Sequence, residues 1–240
     1  MTTLTKYIVG LILSLLFFSC QFNMDFGVNG NGNVETIERE IDGEFNEIEV
    51  SRGLDVYLTQ DNVVSLAVEA DENLHDIIVT KVEGNVLKIY ADENISYSKA
   101  KMVHLSFPHL KRIEATSGSD VIGKNTFEVD NLVIETTSGS DLELDVDANE
   151  VRCSSTSGSD LRLSGSTDKL YATATSGSDI KARNLEANTC DAKATSGADI
   201  TVNTSDALIA KASSGGDIKF YGNPNKIETT DNVSGSVRKQ

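Results

Sequence analysis

The chain of 240 residues has no tryptophan, three cysteines, three histidines and only 21 basic residues against 37 acidic ones. Each shortage removes a class of function. A formal charge of −16 offers no attraction to phosphate backbones or anionic bilayer surfaces, which excludes nucleic acid as a partner. His104 and His109 stand either side of a strand end and Pro108, so they share no face, and His75 is remote from both. With so few cysteines beside them they form no His/Cys metal cluster. No Ser-His-Asp order and no phosphate-cradling glycine loop stands out. Tyr171 and Tyr221 are the only tyrosines beyond Leu110, which leaves little aromatic surface for stacking a sugar. The one continuous apolar run, Tyr7 to Phe18, is too short to cross a bilayer as a helix.

What the chain has in abundance is repetition. Ala115-Thr116-Ser117-Gly118-Ser119-Asp120-Val121 returns around Gly139, Gly158, Gly177, Gly197 and Gly215, with an Asp-less echo at Val233-Ser234-Gly235-Ser236-Val237. The glycines are spaced by 21, 19, 19, 20, 18 and 20 residues, and a fixed period of this length means one unit stacked on copies of itself. Counting from each glycine, the seventh residue before it reads Leu132, Val151, Leu170, Cys190, Leu208, and the fifth reads Ile113, Ile134, Cys153, Ala172, Ala192, Ala210. The third residue after it reads Val121, Leu142, Leu161, Ile180, Ile200, Ile218, and the fifth is apolar except at Gly123. Intervening positions are polar or charged. Apolar-in, polar-out at period two is strand, and strands that repeat without Asn-Gly or Asp-Gly hairpin turns between them join as successive rungs. The expected fold is all-β: a single-stranded parallel β-solenoid with coils of 18–21 residues, like stacked on like at about 4.8 Å.

In chain order, residues 1–19 read as a signal peptide: Lys6 is its short positive region and Tyr7 to Phe18 its apolar stretch. Leu16-Phe17-Phe18-Ser19-Cys20 resembles the lipobox of a bacterial lipoprotein, although Phe17 and Phe18 are bulkier than the strict pattern. That resemblance implies cleavage before Cys20, acylation of Cys20, and membrane attachment through it. Several acyl chains, at about 0.8 kcal/mol per buried methylene, make such an anchor stable. Residues 20–33, with Asn29-Gly30-Asn31-Gly32-Asn33, read as a flexible tether. Residues 34–240 form one β-helical domain of about ten coils, about 50 Å long. Within it, 34–110 are less regular and 111–240 carry the Ser-Gly-Ser-Asp repeats. Gly53 and Asp55 line up with the repeat glycine and aspartate, and the 65 residues from Gly53 to Gly118 correspond to three longer coils. Leu74 to Val82 reads as strand or one short helix.

An opening strand pair at Phe45 to Val50 and Leu54 to Leu58, Asp71-Glu72-Asn73-Leu74, Leu87-Lys88-Ile89, and then serial Ser-Gly-Ser-Asp coils behind a lipoprotein-like signal resemble the head GIN-domain family, known by name as autotransporter adhesin heads. The resemblance runs from about Glu44 to the C-terminus. It implies a β-helix, right-handed by analogy, in the cell envelope at the outer membrane. The chain departs from an autotransporter in ending Val237-Arg238-Lys239-Gln240, without an amphipathic barrel segment, so lipid is the expected anchor.

The repeat aspartates Asp120, Asp141, Asp160, Asp179, Asp199 and Asp217 should form a ladder, each neighbouring pair repelling by about 0.8 kcal/mol even at the dielectric of water. Two devices could offset this: backbone amides donated to each carboxylate at its own turn, aided by Arg162, Lys181 and Lys219, or a row of calcium ions. Calcium usually needs several oxygens and each rung supplies one carboxylate, so the expected metal and cofactor content is none. Cys153 and Cys190 fall in inward columns two coils, about 10 Å, apart, beyond the roughly 7 Å of a disulfide, and read as buried free thiols. Thr116, Thr137, Thr156, Thr175 and Thr195 beside the Asp ladder make a polar strip, the candidate contact surface for a glycan or a repetitive protein; strand propensity alone would also place threonine there. Arg238 and Lys239 are expected to discourage edge pairing by the last coil. The reading is a non-catalytic, lipid-anchored, adhesin-like envelope protein. A polysaccharide lyase or hydrolase on a β-helix is the alternative, weakened because the uniform repeats mark no coil as special.

Overall fold

The structure is a computed structural model that describes residues 27–231 and 234–240; the signal peptide and Cys20 lie outside the described residues. In chain order the strands are β1 (Val28–Asn29), β2 (Val34–Arg39), β3 (Glu47–Val50), β4 (Asp55–Gln60), β5 (Ser65–Asp71), β6 (Ile78–Glu83), β7 (Val86–Ala91), β8 (Ile95–Tyr97), β9 (Lys101–Phe107) and β10 (Arg112–Ala115). The repeats follow as β11 (Asp120–Thr136), β12 (Asp141–Thr156), β13 (Asp160–Thr175), β14 (Asp179–Thr195), β15 (Asp199–Ser213), β16 (Asp217–Tyr221), β17 (Lys226–Asp231) and β18 (Ser236–Lys239). From β10 onward every pairing is parallel and each coil sits on the one before, with Asp141 beside Asp160, Leu142 beside Leu161 and Thr156 beside Thr175. The chain is the β-solenoid expected from its repeats, wound into about seven turns.

Each coil is one long bent strand and one tight corner. At the corner the first serine and the glycine both have positive φ, 56° at Ser157 and 72° at Gly158, the arrangement of a type I′ turn. A Cβ on Gly158 would meet nothing within 4 Å, so glycine is there for its φ and not for space. The second serine turns inward: Ser119, Ser140 and Ser159 are fully buried. Ser140 Oγ accepts from the Thr137 amide at 3.2 Å and donates across the coil to Ala115 O at 2.8 Å, tying each corner to its neighbour. Ser178 repeats this with Thr175 and Ser155. Odd-numbered steps from the glycine fill the core between corners. The exception at Gly123 is filled from the side, because Phe127 brings its ring to within 3.5 Å of where a Gly123 Cβ would stand and packs edge-on against Phe107 at 5.6 Å.

The first third of the chain differs from the expectation of three extra coils between Gly53 and Gly118. β4 pairs directly with β11, placing Asp55 beside Asp120, and β3 pairs with β10. The intervening residues leave the stack and return beneath it: β7 lies under β3 and β9 under β4, both in parallel. The remainder closes that end with antiparallel strands, β6 on β7, and β5 on β9 with β2 outside it. Residues spent on this cap are why the stack has about seven turns and not ten. A single 3-10 turn, Glu72–Leu74, and then β6 occupy the ambiguous stretch Leu74 to Val82.

The tether expected to reach Asn33 is docked from Gly27 onward. β1 pairs in parallel with β8, and Asp71, fully buried, accepts from the amides of Gly32, Lys99 and Ala100 at 2.9–3.1 Å. Burial pushes that carboxyl up, but the three amides and the nearby Lys99 charge outweigh it and hold it below the usual carboxylate range. At the other end the register is Asp217 beside Ser236, which sets Gly235 over Gly216 and not over the repeat glycine Gly215. The sequence echo is therefore offset by one residue. Cys153 and Cys190 are buried free thiols in separate columns, with burial pushing Cys153 up to about 12.

Candidate binding surfaces

Two edges of the solenoid present repeated polar side chains. The first is the corner ridge. Thr116, Thr137, Thr156, Thr175 and Thr195 are half-buried on one side of the Ser-Gly turn, and the aspartates follow on the other. Register places Asp55, Asp120, Asp141, Asp160, Asp179, Asp199 and Asp217 in one unbroken column, ended by Ser236, whose hydroxyl donates to Asp217.

The turn accounts for every residue of the motif except the aspartate. Its amide donates to the coil before, as from Asp141 N to Ser119 O at 3.0 Å, and any residue but proline could do that. The carboxylates are not held by the backbone amides expected for them. Asp160 accepts from Arg162 at 3.0 Å and Lys181 at 2.9 Å, and Lys181 also reaches Asp179 at 3.1 Å. Among the described residues the side-chain carboxylates of Asp120, Asp141 and Asp199 accept no hydrogen bond. Burial and then the neighbouring Asp160 and Asp120 charges raise Asp141 above the usual carboxylate range, against the opposing Arg162 and Lys181. Asp199 is raised in the same way by burial, Asp179 and Asp217, and Asp55 by burial and Asp120. Among the described residues no group of three or more His, Cys, Asp or Glu side chains converges on a point where a metal ion could sit.

The second edge was not anticipated. On the corner away from the turn, Asp130, Asn149, Asp168, Asn188, Asp206 and Asn225 alternate up the stack, and asparagine amides donate to aspartates: Asn149 to Asp130 at 3.0 Å, Asn188 to Asp168 at 2.7 Å and Asn225 to Asp206 at 3.0 Å. Beside this ladder runs a groove floored by the small residues Ala148, Thr167, Ala187 and Thr204 and walled by Asp147, Asp168, Glu186 and Asn203. Its volume is about 620 Å³, and a second stretch of about 740 Å³ continues it past Asn149 to Lys111 and His109. The signal was present in the sequence as an Asp/Asn alternation, but it falls nine to twelve residues after the repeat glycines and drifts with coil length.

The aromatic side chains on the repeats are already engaged. Arg152 lies 3.9 Å from the centre of the Tyr171 ring and Arg183 lies 4.3 Å from that of Tyr221, which covers one face of each. Of the histidines, His104 stacks on Tyr57 at 5.2 Å and faces Glu69 at 3.4 Å, while His75 is buried, its Nε2 against Glu35 O at 3.2 Å and its Nδ1 without a partner among the described residues.

A family model described as "Putative auto-transporter adhesin, head GIN domain" matches residues 44–224. No curated protein matches the chain. Among solved structures, a "putative adhesin" from Bacteroides fragilis superposes with a TM-score of 0.83 at 22% identity, over 89% of this chain and 100% of that one. A "putative lipid binding protein" from Parabacteroides distasonis gives 0.73 at 24% identity over 89% and 99%. A "putative adhesin" from Parabacteroides merdae gives 0.68 at 20% identity over 89% and 98%. At these identities the likeness is one of fold.

Proposed function

The chain belongs to the head GIN domain family, and from that premise we propose that it is a non-catalytic, adhesin-like binding module of the bacterial cell envelope. Acylated Cys20 is its anchor to the outer membrane, and the ridge formed by Thr116, Thr137, Thr156, Thr175, Thr195 and the aspartates from Asp120 to Asp217 is its contact strip for a glycan or a repetitive protein. One observation carries the choice of strip. The corner needs its serines and glycine to fold, whereas the stacked carboxylates repel one another and three of the six, Asp120, Asp141 and Asp199, lack a folding partner among the described residues. A costly, exposed, repeated group that folding does not require is the mark of a surface kept for contact. The groove beside Asp168 is a second contact surface, favoured by its concavity and by its run along several coils.

Binding of the mature protein to glycan and matrix-protein arrays tests the reading. Replacing Asp141, Asp160 and Asp179 by asparagine should abolish the signal while the fold persists, whereas Glu186→Lys should abolish it if the groove is the contact. New reducing ends or unsaturated products after incubation with acidic and neutral glycans would overturn the non-catalytic reading in favour of a β-helical lyase or hydrolase. Mass spectrometry of the N-terminal peptide tests acylation of Cys20.

A further inference from the structure

The two ends of the solenoid are finished differently. At the end where Gly27 enters, antiparallel strands β2 and β6 cover the stack. At the far end, among the described residues, β17 pairs only with β15 and β18 only with β16, so both present unpaired edges. β18 carries Arg238 and Lys239, charges that resist addition of another strand. β17 differs in carrying charges of both signs, which a partner strand can pair, and all six of its residues, Lys226-Ile227-Glu228-Thr229-Thr230-Asp231, are exposed. The core column Leu132, Val151, Leu170, Cys190 and Leu208 is buried throughout and ends on Ile227, which is 51% exposed. An apolar column therefore runs out of the end of the stack uncovered.

We propose that β17 is the interface at which a second copy of this chain pairs, antiparallel and about a two-fold axis through Ile227. The charge pattern selects this partner and this register. With the axis at Ile227, isoleucine stacks on isoleucine in the core layer and Lys226 stands opposite Glu228 of the second copy, twice by symmetry. Moving the axis to Glu228 sets like charges opposite each other and Ile227 against Thr229. Moving it to Thr229 sets Ile227 against Asp231. Only the first register joins apolar to apolar and acid to base while keeping inward residues inward. A contact of one strand pair is small beside the roughly 800 Å² per partner of a standard interface, so the dimer forms at high concentration or where two surfaces densely covered with copies meet. If Cys20 anchors the chain as proposed above, the paired ends are those farthest from the membrane, and the contact joins copies on facing surfaces.

Sedimentation velocity of the mature protein over a rising concentration range should show a reversible monomer–dimer equilibrium. K226E and E228K alone should each weaken dimerisation by about tenfold or more, I227K should abolish it, and K226E/E228K, which restores the pair with its signs exchanged, should recover it. Melting curves check that each variant is folded. A monomer at every concentration overturns the proposal, as does a double variant no better than the singles. Beads carrying the protein by its N-terminus should clump in the same order of variants. An unacylated Cys20 in native protein would remove the anchor and leave the sedimentation result standing.

Discussion

Removing one carboxylate from the middle of the ridge, Asp141→Asn, should make the protein more stable. Parallel strands set Asp141 about 4.8 Å from each of Asp120 and Asp160, and at the dielectric of water each neighbour costs about 0.8 kcal/mol. Salt at physiological strength, with a Debye length of about 8 Å, reduces this by roughly half, so the two neighbours together cost about 0.8 kcal/mol, less what Arg162 and Lys181 return. Asparagine has the same shape and can stack amide on carboxylate, as Asn149 does on Asp130 at the other corner. The expected gain is about 0.5–1 kcal/mol, or roughly 2–3 °C in a domain of this size. The pH dependence gives an independent reading. A carboxyl raised above its unfolded value near 4 contributes stability below that value and loses it as pH rises through the raised one. Wild type should therefore gain stability as pH is lowered from 7 to the ordinary carboxylate value near 4, because Asp141, Asp199 and Asp55 take up protons above it, and the variant should gain less. Urea unfolding of both proteins at the two pH values, with and without calcium, measures this. A loss of 1 kcal/mol or more in the variant, or a large stabilisation of wild type alone by calcium, would refute the picture of uncompensated repulsion and make the ladder a structural cation site.

Two further outcomes follow from backbone geometry and from the cap. Gly158→Ala should cost about 1 kcal/mol, the strain of a left-handed residue in open space, whereas Gly165→Ala should cost several times more or prevent folding, since its Cβ would stand 2.1 Å from Val146 O; thermal melts compare the two. Asp71→Asn should destabilise by about 3 kcal/mol by leaving buried amides without a charged acceptor, and limited proteolysis should then cut before Val34; because Asp71 is lowered, its contribution is present above the ordinary carboxylate value and fades as pH falls, opposite in sign to the ridge.

The sequence made the repeating coils plain because the same physics acts at every rung. A type I′ corner demands a residue that tolerates positive φ followed by glycine, and a core column demands apolar side chains at period two, so both leave marks that align without a structure. The order of the coils left no such mark. Val68, Val103 and Leu105 alternate with polar residues whether their strands run parallel or antiparallel, and alternation is all that Ser65–Asp71 and Lys101–Phe107 contribute. The turn at Gly84, φ 66°, between β6 and β7 was the one local sign that the chain doubles back to form a cap. The offset echo at Gly235 has a related cause: with no aspartate there, the register is the one that sets Ser236 beside Asp217 and Val237 beside Ile218.

The Asp/Asn corner shows what irregularity hides. Register slips between Ile122 and Thr126, between Arg162 and Ser164 and between Ala182 and Glu186 absorb the variation in coil length on the stretch between the turn and the groove. A column beyond those slips is aligned in space but not by counting from glycine, so six residues that touch in sequence along the stack look unrelated in the chain. The two ladders also solve the same electrostatic problem differently. At the groove corner every second carboxylate is replaced by an amide that donates to its neighbour, which converts repulsion into hydrogen bonds. The ridge had the same substitution open to it, at a spacing set by the same strands, and kept aspartate in six successive coils from Asp120 to Asp217. The ion pairs of Arg162 and Lys181 give a reason at Asp160 and Asp179, but at Asp120, Asp141 and Asp199, which have no such partner among the described residues, stability favours the amide. If the ridge is the contact strip proposed above, its partner should carry positive charge or dense hydrogen-bond donors at a repeat close to 5 Å.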